Sequence, residues 1–407
     1  NTGVVDTYIR GDDQTGVLVG QLYSTTATVI DSYGSGFVQT GASTNVNTGG
    51  LVGIFRNGMG SKIYFGGAVE GAVTTGGVAA YPYGANISNA INFGLVAPLK
   101  GTFGGVFGKS YNVGHLTKLT NYGVVHGPNT TSDTVGGIIG YSYGYGMISE
   151  CKNYGSVSGE TSVGGIIGKL STITLVDCVN KGKVYGNYYV GGVAGKLYGS
   201  STLVRSQNHG EVDGTNGTTK DYVGGVAGRA YKTKISDSYS TGNVTGDAYV
   251  GGFIGGVPSD GIAVVDSYSS GAVTGNTFTD KFIGGITGTQ AHIQSSFFLD
   301  TACGNPFTPP ATGGCPGANG GLGITDAEMK TEANFTGAGW SFSTTTNAPW
   351  EMEGGGQYPS HRFQNKCPKG WEKIEMAPSY AGGDGSGGNP YQITNENKHF
   401  EFHLEKL

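Results

Sequence analysis

Tyr249-Val-Gly-Gly-Phe-Ile-Gly255 is one copy of the segment that decides the fold of this 407-residue chain. Its centre is a glycine pair, followed by two apolar residues and a closing glycine. The pattern returns every 27 to 33 residues, and a fixed period of this length indicates a repeat architecture. We place ten copies, which begin at Gly49, Gly104, Gly136, Gly164, Gly191, Gly224, Gly251 and Gly284, with weaker copies at Gly16 and Gly76.

A second signature follows each glycine pair, as in Leu175-Val-Asp-Cys-Val-Asn-Lys-Gly-Lys-Val184. The distance from the pair to the glycine of this signature is 18 to 20 residues. The distance onward to the next pair is either 9 to 10 or 13 to 14 residues. Insertions therefore fall at one corner of the unit, and in a repeat array such a corner lies on a single face, which is often the binding face.

Each unit contains two or three short runs rich in Val, Ile and Tyr, without helical spacing and separated by glycines. A unit of this kind cannot bury its own apolar face, whereas stacked copies bury a continuous core. We therefore predict an all-β protein: a parallel β-solenoid of about ten rungs with a small irregular C-terminal cap. We expect a right-handed coil, because parallel crossovers favour that hand. At about 4.8 Å per rung the rod would be roughly 48 Å long.

Equivalent positions of the units form three columns that we expect to point inward. The first is a valine column: Val38, Val69, Val96, Val125, Val157, Val184, Val212, Val244 and Val273. The second contains small or apolar residues: Ala90, Leu119, Cys151, Cys178, Ser206, Ser238 and Ser267. The third is Asn92, Asn121, Asn153, Asn180 and Asn208, whose amides can bond along the rod.

Composition limits the function classes. The chain has 78 glycines, 13% charged residues and a net charge of -5, and no basic patch indicates a nucleic-acid scaffold. No run of 18 apolar residues occurs, so we expect no membrane insertion. The start at Asn1 has no charged and apolar leader, which we interpret as a mature or trimmed fragment.

One aromatic column is the candidate ligand site. Tyr189, Tyr222, Tyr249 and Phe282 each lie two residues before a glycine pair, next to the corner of variable length. Their rings would form either a platform for apolar sugar faces and partner side chains or a ladder that packs along the rod. Lys169, Lys196 and Arg229 follow three successive closing glycines and form a short basic stripe, either a solvated face or part of a ligand site.

Signals for catalysis and metal binding are weak. His-Glu-x-x-His, a convincing Gly-x-Ser-x-Gly elbow and Cys-x-x-Cys are absent. Asp177, Asp237 and Asp266 share a column, but Arg205 interrupts it, so they are either a solvated stripe or acidic site residues. His399 and His403 in the tail do not have a recognised zinc spacing. We predict no enzyme activity, no catalytic residues, no cofactor and no metal.

The five cysteines suggest one disulfide. Cys303 and Cys315 flank a loop, and we expect them to be bonded if the protein is exported. Cys151 and Cys178 share a column on adjacent rungs, within reach of a disulfide. We expect them to be free thiols instead, because stacked inward side chains have constrained dihedral angles and a buried cysteine behaves as a small apolar residue. Cys367 is left over.

At these residues the chain resembles the GLUG-motif family. The match is carried by Tyr249–Gly255 preceded by Ser238-Tyr-Ser-Thr-Gly-Asn-Val-Thr-Gly246. Phe297-Phe-Leu-Asp300, Gly323–Lys330, Gly339-Trp340 and Tyr358-Pro359 are similar to the ending that closes such arrays. The resemblance implies a secreted bacterial surface protein, such as an adhesin. Repeats of this family also occur as a non-catalytic region of IgA-cleaving metallopeptidases.

These observations predict a solenoid at 1–300, a cap at 301–366 and, at 367–407, a tail or the start of a further domain. A capping box at Thr325-Asp-Ala-Glu328 should open a short cap helix that runs to about Phe335. The function we predict is a secreted or cell-surface adhesin or structural rod, monomeric as a fragment. Its partner would be a polysaccharide or a glycan or protein of a host or neighbouring cell. Alternatives are a carbohydrate-binding module, a polysaccharide-active β-helix enzyme and a spacer in a larger secreted peptidase.

Overall fold

The computed structural model describes residues 2–41, 46–128, 133–215, 221–258, 261–286, 291–300, 315–317, 319–342, 348–352 and 356–361. All of them lie within one unit, Asn1–Arg362. Cys303, Cys367, His399, His403 and the predicted tail lie outside the described residues, as does the side chain of Cys315, so the predicted Cys303–Cys315 disulfide stays a prediction.

One turn of the chain has three sides, as residues 162–185 illustrate. Ser162–Gly164 forms the first side and Ile167–Ser171 the second, and three shorter strands, Thr174–Val176, Val179–Asn180 and Val184–Tyr185, form the third. Each strand pairs in parallel with its equivalent on the next turn, as Val163 does with Val190. Successive turns therefore lie directly over one another, which confirms the predicted parallel β-solenoid.

The strands of all turns assemble into three long sheets. Sheet 1 has 28 strands: Thr2–Gly11, Thr28–Thr40, Met59–Phe65, Ala68–Glu70, Asn86–Asn92, Leu95–Val96, His115–Thr117, Thr120–Asn121, Val125–His126, Met147–Ser149, Lys152–Asn153, Val157–Ser158, Thr174–Val176, Val179–Asn180, Val184–Tyr185, Thr202–Val204, Gln207–Asn208, Val212–Gly214, Thr233–Ser236, Tyr239–Ser240, Val244–Gly246, Ile262–Val265, Tyr268–Ser269, Val273–Thr274, Ala291–Gln294, Phe297–Leu299, Cys315–Pro316 and Leu322–Ile324.

In the part of the chain that the structure describes, sheets 2 and 3 have ten strands each, one per turn, which confirms about ten turns. Sheet 2 contains Gln14–Thr15, Asn47–Gly49, Thr74–Gly76, Thr102–Gly104, Thr134–Gly136, Ser162–Gly164, Tyr189–Gly191, Tyr222–Gly224, Ala248–Gly251 and Thr277–Asp280. Sheet 3 contains Val19–Tyr23, Val52–Arg56, Ala79–Tyr83, Phe107–Tyr111, Ile139–Tyr143, Ile167–Ser171, Ala194–Tyr198, Ala227–Ala230, Ile254–Val257 and Ile283–Ile286.

The glycine pair lies at the corner between sheets 2 and 3, where there is no room for side chains. A Cβ on Gly164 would lie 2.0 Å from the carbonyl oxygen of Ile167, and one on Gly165 would lie 2.3 Å from Cγ of Asn180. Both approaches are too close for any other residue. The pair therefore returns on successive turns because the corner and the asparagine column meet there.

All three predicted columns point inward. Val38 and its equivalents as far as Val244 are at most 1% exposed. In the second column the backbone N–H of Ser206 donates to Oγ of Ser238 on the next turn at 3.1 Å. In the third, Nδ2 of Asn153 donates to Oδ1 of Asn180 at 2.8 Å and to the carbonyl of Gly155 at 2.8 Å. Asn92, Asn121 and Asn180 repeat both bonds, whereas Asn208 donates to the carbonyl of Gly210 and to Oγ of Ser240.

The predicted register of the tenth turn is wrong by four residues. Gly251 pairs with Asp280, and Gly256 pairs with Gly285, so Gly284 is equivalent to the closing Gly255 and does not open a copy. The strand Thr277–Asp280 is equivalent to Ala248–Gly251, so Asp280 and Lys281 take the place of the glycine pair Gly251-Gly252. With this register the tenth turn has no long insertion.

The cap begins where the sheets end. Leu322–Ile324 pairs in parallel with Phe297–Leu299, and Cys315–Pro316 pairs antiparallel with Leu322–Ile324, so the described part of the cap extends sheet 1 by two strands. Nδ2 of Asn319 donates to the carbonyls of Ile283 and Gly284, at 3.0 and 3.1 Å, on the last strand of sheet 3. These bonds satisfy acceptors of an edge that would otherwise be open for pairing with another chain.

The predicted cap helix is two helices. The capping box on Thr325 and Glu328 is present, and α1 spans Asp326–Met329. The chain turns at Lys330 before α2, which spans Glu332–Gly337. An antiparallel pair of strands, Trp350–Glu351 and Ser360–His361, completes the cap.

The cap covers a side of the solenoid as well as its end. Met329, Phe335, Trp340 and Trp350 bury the aromatic column of Tyr239, Tyr268 and Phe297 on sheet 1. No helix in the described part of the chain is long and apolar enough to cross a membrane. Cys151 and Cys178 are buried free thiols, as expected.

Candidate binding face

Three of the four predicted ligand residues form a column on sheet 2. Tyr189 pairs in register with Tyr222, and the rings of Tyr222 and Tyr249 stack at 4.6 Å and 15°. Phe282 does not belong to this column: it is fully buried and stacks on Phe253 at 4.9 Å. The fourth member is Phe278, which stacks on Tyr249 at 4.6 Å and is 62% exposed. Phe282 was misplaced because the glycine pair that follows it, Gly284-Gly285, is equivalent to Gly255-Gly256 within sheet 3 and not to the corner pair Gly251-Gly252.

The rings of this column pack as a ladder, the second of the two predicted alternatives. Parallel rings with centroids 4.6 Å apart lie face to face, because side by side they would collide. The ring of Tyr222 also lies over Gly256 of the next turn, where a Cβ would be 2.3 Å from a ring carbon. The faces between neighbouring rings are therefore covered, and mainly the edges of the rings are exposed to solvent.

The basic stripe belongs to a longer column on the outer surface of sheet 3. Lys169 pairs with Lys196, and Lys196 pairs with Arg229. Towards the N-terminus the same column continues through Tyr141 and Lys109. The sequence analysis missed these two residues, although each directly follows a closing glycine, as Lys169 does. Alignment of the residues that follow the closing glycines would have found them. They were overlooked because Tyr141 interrupts the series of lysines.

A second outward column on sheet 3 is almost entirely tyrosine. Tyr111 lies between Tyr83 and Tyr143, with ring centroids at 5.1 and 4.5 Å. Ser171 occupies the next turn, and Tyr198 and Tyr231 on the two turns after it stack at 5.7 Å. We call the two columns together the tyrosine–cation face, and its members are Tyr81, Lys109, Tyr141, Lys169, Lys196 and Arg229 in the first column and Tyr83, Tyr111, Tyr143, Tyr198 and Tyr231 in the second.

Hydroxyl pairs and cations connect the two columns. The hydroxyls of Tyr141 and Tyr198 lie 2.6 Å apart, and those of Tyr81 and Tyr143 lie 3.1 Å apart. Nζ of Lys109 lies 5.0 Å from the ring centre of Tyr143, within the range of a cation–π contact. The ammonium groups of Lys109 and Lys196 each lie near three tyrosine rings.

Arg229 joins the tyrosine–cation face to the column on sheet 2. Its Nη1 donates to the hydroxyl of Tyr189 at 3.2 Å, and its Cζ lies 5.4 Å from the centre of that ring. Lys196 approaches the same ring at 5.5 Å. The outer surfaces of sheets 2 and 3 therefore form one continuous aromatic and basic surface.

The charge of sheet 3 is one-sided. The ten described strands of sheet 3 contain five Lys or Arg residues and no Asp or Glu. Burial lowers the pKa of Lys169. Burial also lowers the pKa of Lys196, and the neighbouring Arg229 and Lys169 lower it further. The arrangement can accept negative charge and hydrogen-bond acceptors over several turns.

The predicted acidic column is not an open pair of carboxylates. Arg205 binds Asp177 on the previous turn through Nε and Nη2, at 2.7 and 2.9 Å. Burial and the adjacent Asp237 raise the pKa of Asp266 to about 6. The backbone carbonyl of Asp237 lies 2.5 Å from Nε2 of His361 in the cap. Among the described residues, no three His, Cys, Asp or Glu side chains are grouped so that they could hold a metal ion.

Comparison with known proteins gives one result. The model of a protein family described as the GLUG motif matches residues 221–245. No curated protein and no solved structure matches the chain. The matched residues correspond to most of one turn, from the sheet 2 strand Tyr222–Gly224 to the sheet 1 strand that begins at Val244.

Proposed function

Because the chain belongs to the GLUG-motif family, we propose that it is a non-catalytic adhesive rod of an exported bacterial surface protein. The tyrosine–cation face would attach the rod to a host cell, a neighbouring cell or an insoluble glycan. The family and the solenoid fold support a structural surface protein. The attachment itself is the part that we propose.

The observation that carries the proposal is the repetition of similar side chains along one side of the rod. Each of six consecutive turns, from Tyr81 to Arg229, adds a tyrosine or a cation at the equivalent position, as Tyr141, Lys169 and Lys196 do. Contacts that are weak individually become strong when they are linked and engage together. Such a surface suits an extended ligand better than a small molecule, which would occupy a concave pocket.

A pair of tyrosine substitutions tests the attachment. The double variant Tyr111→Ser with Tyr143→Ser removes two rings from the second column. Serine is already accepted in this column, since Ser171 pairs with Tyr143 on the next turn. Beads that carry the double variant should attach at least about tenfold less to bacteria, animal cells and insoluble glycans, because several linked contacts are lost. The measurement is the number of beads retained under flow.

Tyr185→Ser is the matched control. Tyr185 is exposed on sheet 1, away from the tyrosine–cation face, and it pairs with Ser158 in the same column. The control should attach like the original protein. Attachment by a folded double variant at the original level would contradict the proposal. Release of new chain ends from a polysaccharide panel would instead favour the alternative of a polysaccharide-active enzyme.

A further inference from the structure

We propose that the ligand of the tyrosine–cation face is an acidic polysaccharide, whose carboxylate or sulfate groups are bound by Lys109, Lys169, Lys196 and Arg229. This inference rests on the proposed function and names the chemistry of the ligand. Three features of the face carry it: its charge, the spacing of its cations and the covered faces of its rings.

The charge of the face is opposite to that of the whole chain. The net charge is -5, yet the ten described strands of sheet 3 carry no carboxylate. Some cations outside the face are paired with acids, as Lys183 is with Glu211 of the next turn at 2.8 Å and Lys281 is with Asp300 at 2.9 Å. Within the described part of the chain, the four cations of the face form no ion pair.

The spacing of the cations suits a polymer with regular negative charges. Lys169, Lys196 and Arg229 pair in register on three consecutive turns, which places them about one strand spacing, roughly 4.8 Å, apart. All three are half-buried, so water screens their mutual repulsion less than it would at a fully exposed site. A chain with acidic groups at short, regular intervals would neutralise all of them together. Burial lowers the pKa of Lys196 most, and the neighbouring Arg229 and Lys169 lower it further.

The packing of the rings argues against a single-stranded nucleic acid. Proteins that bind such strands stack the bases on open aromatic faces. Here the rings stack on one another, with Tyr111 4.5 Å from Tyr143, and Tyr222 4.6 Å from Tyr249. What the face presents is ring edges, hydroxyls and cations. In each hydroxyl pair one hydrogen bond uses one proton, so the second hydroxyl retains a proton that can be donated to a sugar or an acid group.

Binding to four polymers tests the inference. Affinity electrophoresis or calorimetry would compare neutral dextran, dextran sulfate, polygalacturonate and single-stranded oligo-deoxythymidylate. We expect binding to dextran sulfate or polygalacturonate at least ten times tighter than to dextran, and weaker at high salt because exposed charges are screened. Comparison of the two acidic polymers shows whether sulfate or carboxylate is the preferred group.

Two double variants complete the test. Lys196→Gln with Arg229→Gln should reduce affinity for the acidic polymer at least tenfold, with an unchanged melting temperature. Lys118→Gln with Lys234→Gln is the control, since both lysines are exposed and lie beside or within sheet 1. Equal binding of dextran, full affinity of the first variant or preferred binding of the oligonucleotide would overturn the inference. If cell attachment still depended on Tyr111 and Tyr143 in that case, the adhesive function would stand without this ligand.

Discussion

At the scale of single residues, one corner of the solenoid depends on left-handed backbone. The corner residue precedes the small inward column of sheet 1, and its φ lies between 45° and 57° on ten turns. Asp, Asn and Gly tolerate this conformation, whereas other residues lose about 1–2 kcal/mol in it. The corner residues are Asp31, Lys62, Asn89, Lys118, Glu150, Asp177, Arg205, Asp237, Asp266 and Ser295. Half of them are neither Asp nor Asn, so substitution by asparagine at these positions should stabilise the protein.

Lys118→Asn should therefore stabilise the protein. Lys118 is exposed, has φ 57° and donates its backbone N–H to the carbonyl of Ser149 at 3.0 Å, a bond that asparagine keeps. We expect the free energy of unfolding to rise by about 0.5–1 kcal/mol, because asparagine loses less in left-handed backbone. Urea unfolding followed by circular dichroism measures it.

Lys234→Asn is the control for this substitution. Lys234 is also exposed but lies in the strand Thr233–Ser236, where asparagine is disfavoured. The control should be neutral or slightly destabilising. Equal stabilisation by both variants would show that removal of a lysine charge, rather than the backbone conformation, causes the effect.

At the scale of elements, the docking of the cap depends on a histidine that must stay neutral. His361 is 1% exposed and lies against the rings of Trp350 and Tyr239, at 4.7 and 5.0 Å. Burial lowers its pKa from 6.5 to about 3, although the bond to the carbonyl of Asp237 opposes the shift. Burial also lowers the pKa of His209 to about 4, whereas the pKa of Asp266 is raised to about 6.

Acid should therefore release the cap. Below pH 6.5 an exposed His361 takes up a proton and the buried one does not, so docking loses about 1.4 kcal/mol per pH unit until the pH falls to about 3. His209 acts in the same direction. Asp266 acts in the opposite direction between pH 6 and its ordinary value of 3.8, since its buried form prefers to be protonated.

Tryptophan fluorescence measures this release. Trp340 and Trp350 are buried in the cap, and Trp371→Phe removes the third signal. Their emission should shift to longer wavelengths as the pH falls from 6 to 4. His361→Gln keeps a donor for the Asp237 carbonyl but does not titrate, so its cap should respond less. An identical response of both proteins would mean that another group controls docking.

The columns of the solenoid were predictable because the number of residues between the glycine pair and the column valine is nearly the same on every turn. Val157, Val184 and Val212 could be aligned without knowledge of the structure. The tenth turn could not, because Gly251-Gly252 and Gly255-Gly256 both form pairs, and the next turn retains only the second one, as Gly284-Gly285.

The lateral docking of the cap also had no sequence signal. The hydroxyl of Tyr268 donates to the carbonyl of Pro359 at 2.7 Å across 91 residues, and no period connects them. The candidate site was predicted in part. Lys169, Lys196 and Arg229 were recognised as a stripe because they share a charge. Tyr141 and Lys109 were not recognised, because a column that mixes tyrosine and lysine has no single residue type to identify it.

At the scale of the whole molecule, the described solenoid is a stack of turns in which each turn contacts mainly its two neighbours. In the described part of the solenoid, the strands of sheets 2 and 3 pair only with the turn before and the turn after. The free energy of unfolding is then close to the sum of the contributions of the individual turns and of the interfaces between neighbouring turns. A complete turn should consequently be removable, provided that both cut ends occupy the same position. Gly164 and Gly191 meet this condition, because they pair in register.

Deletion of residues 164–190 should give a shorter folded rod. Val163 then precedes Gly191 as Val190 did, and Asn153 stacks on Asn208, so every inward column continues with one member fewer. Deletion of residues 164–189 is the control, since it leaves one extra residue and would turn alternate side chains to the wrong face unless a bulge absorbs it. We expect the first variant to keep a cooperative urea transition and a β-sheet circular dichroism spectrum, and the second to unfold at lower urea. Equal stability of the two would mean that register along the axis does not hold the columns together.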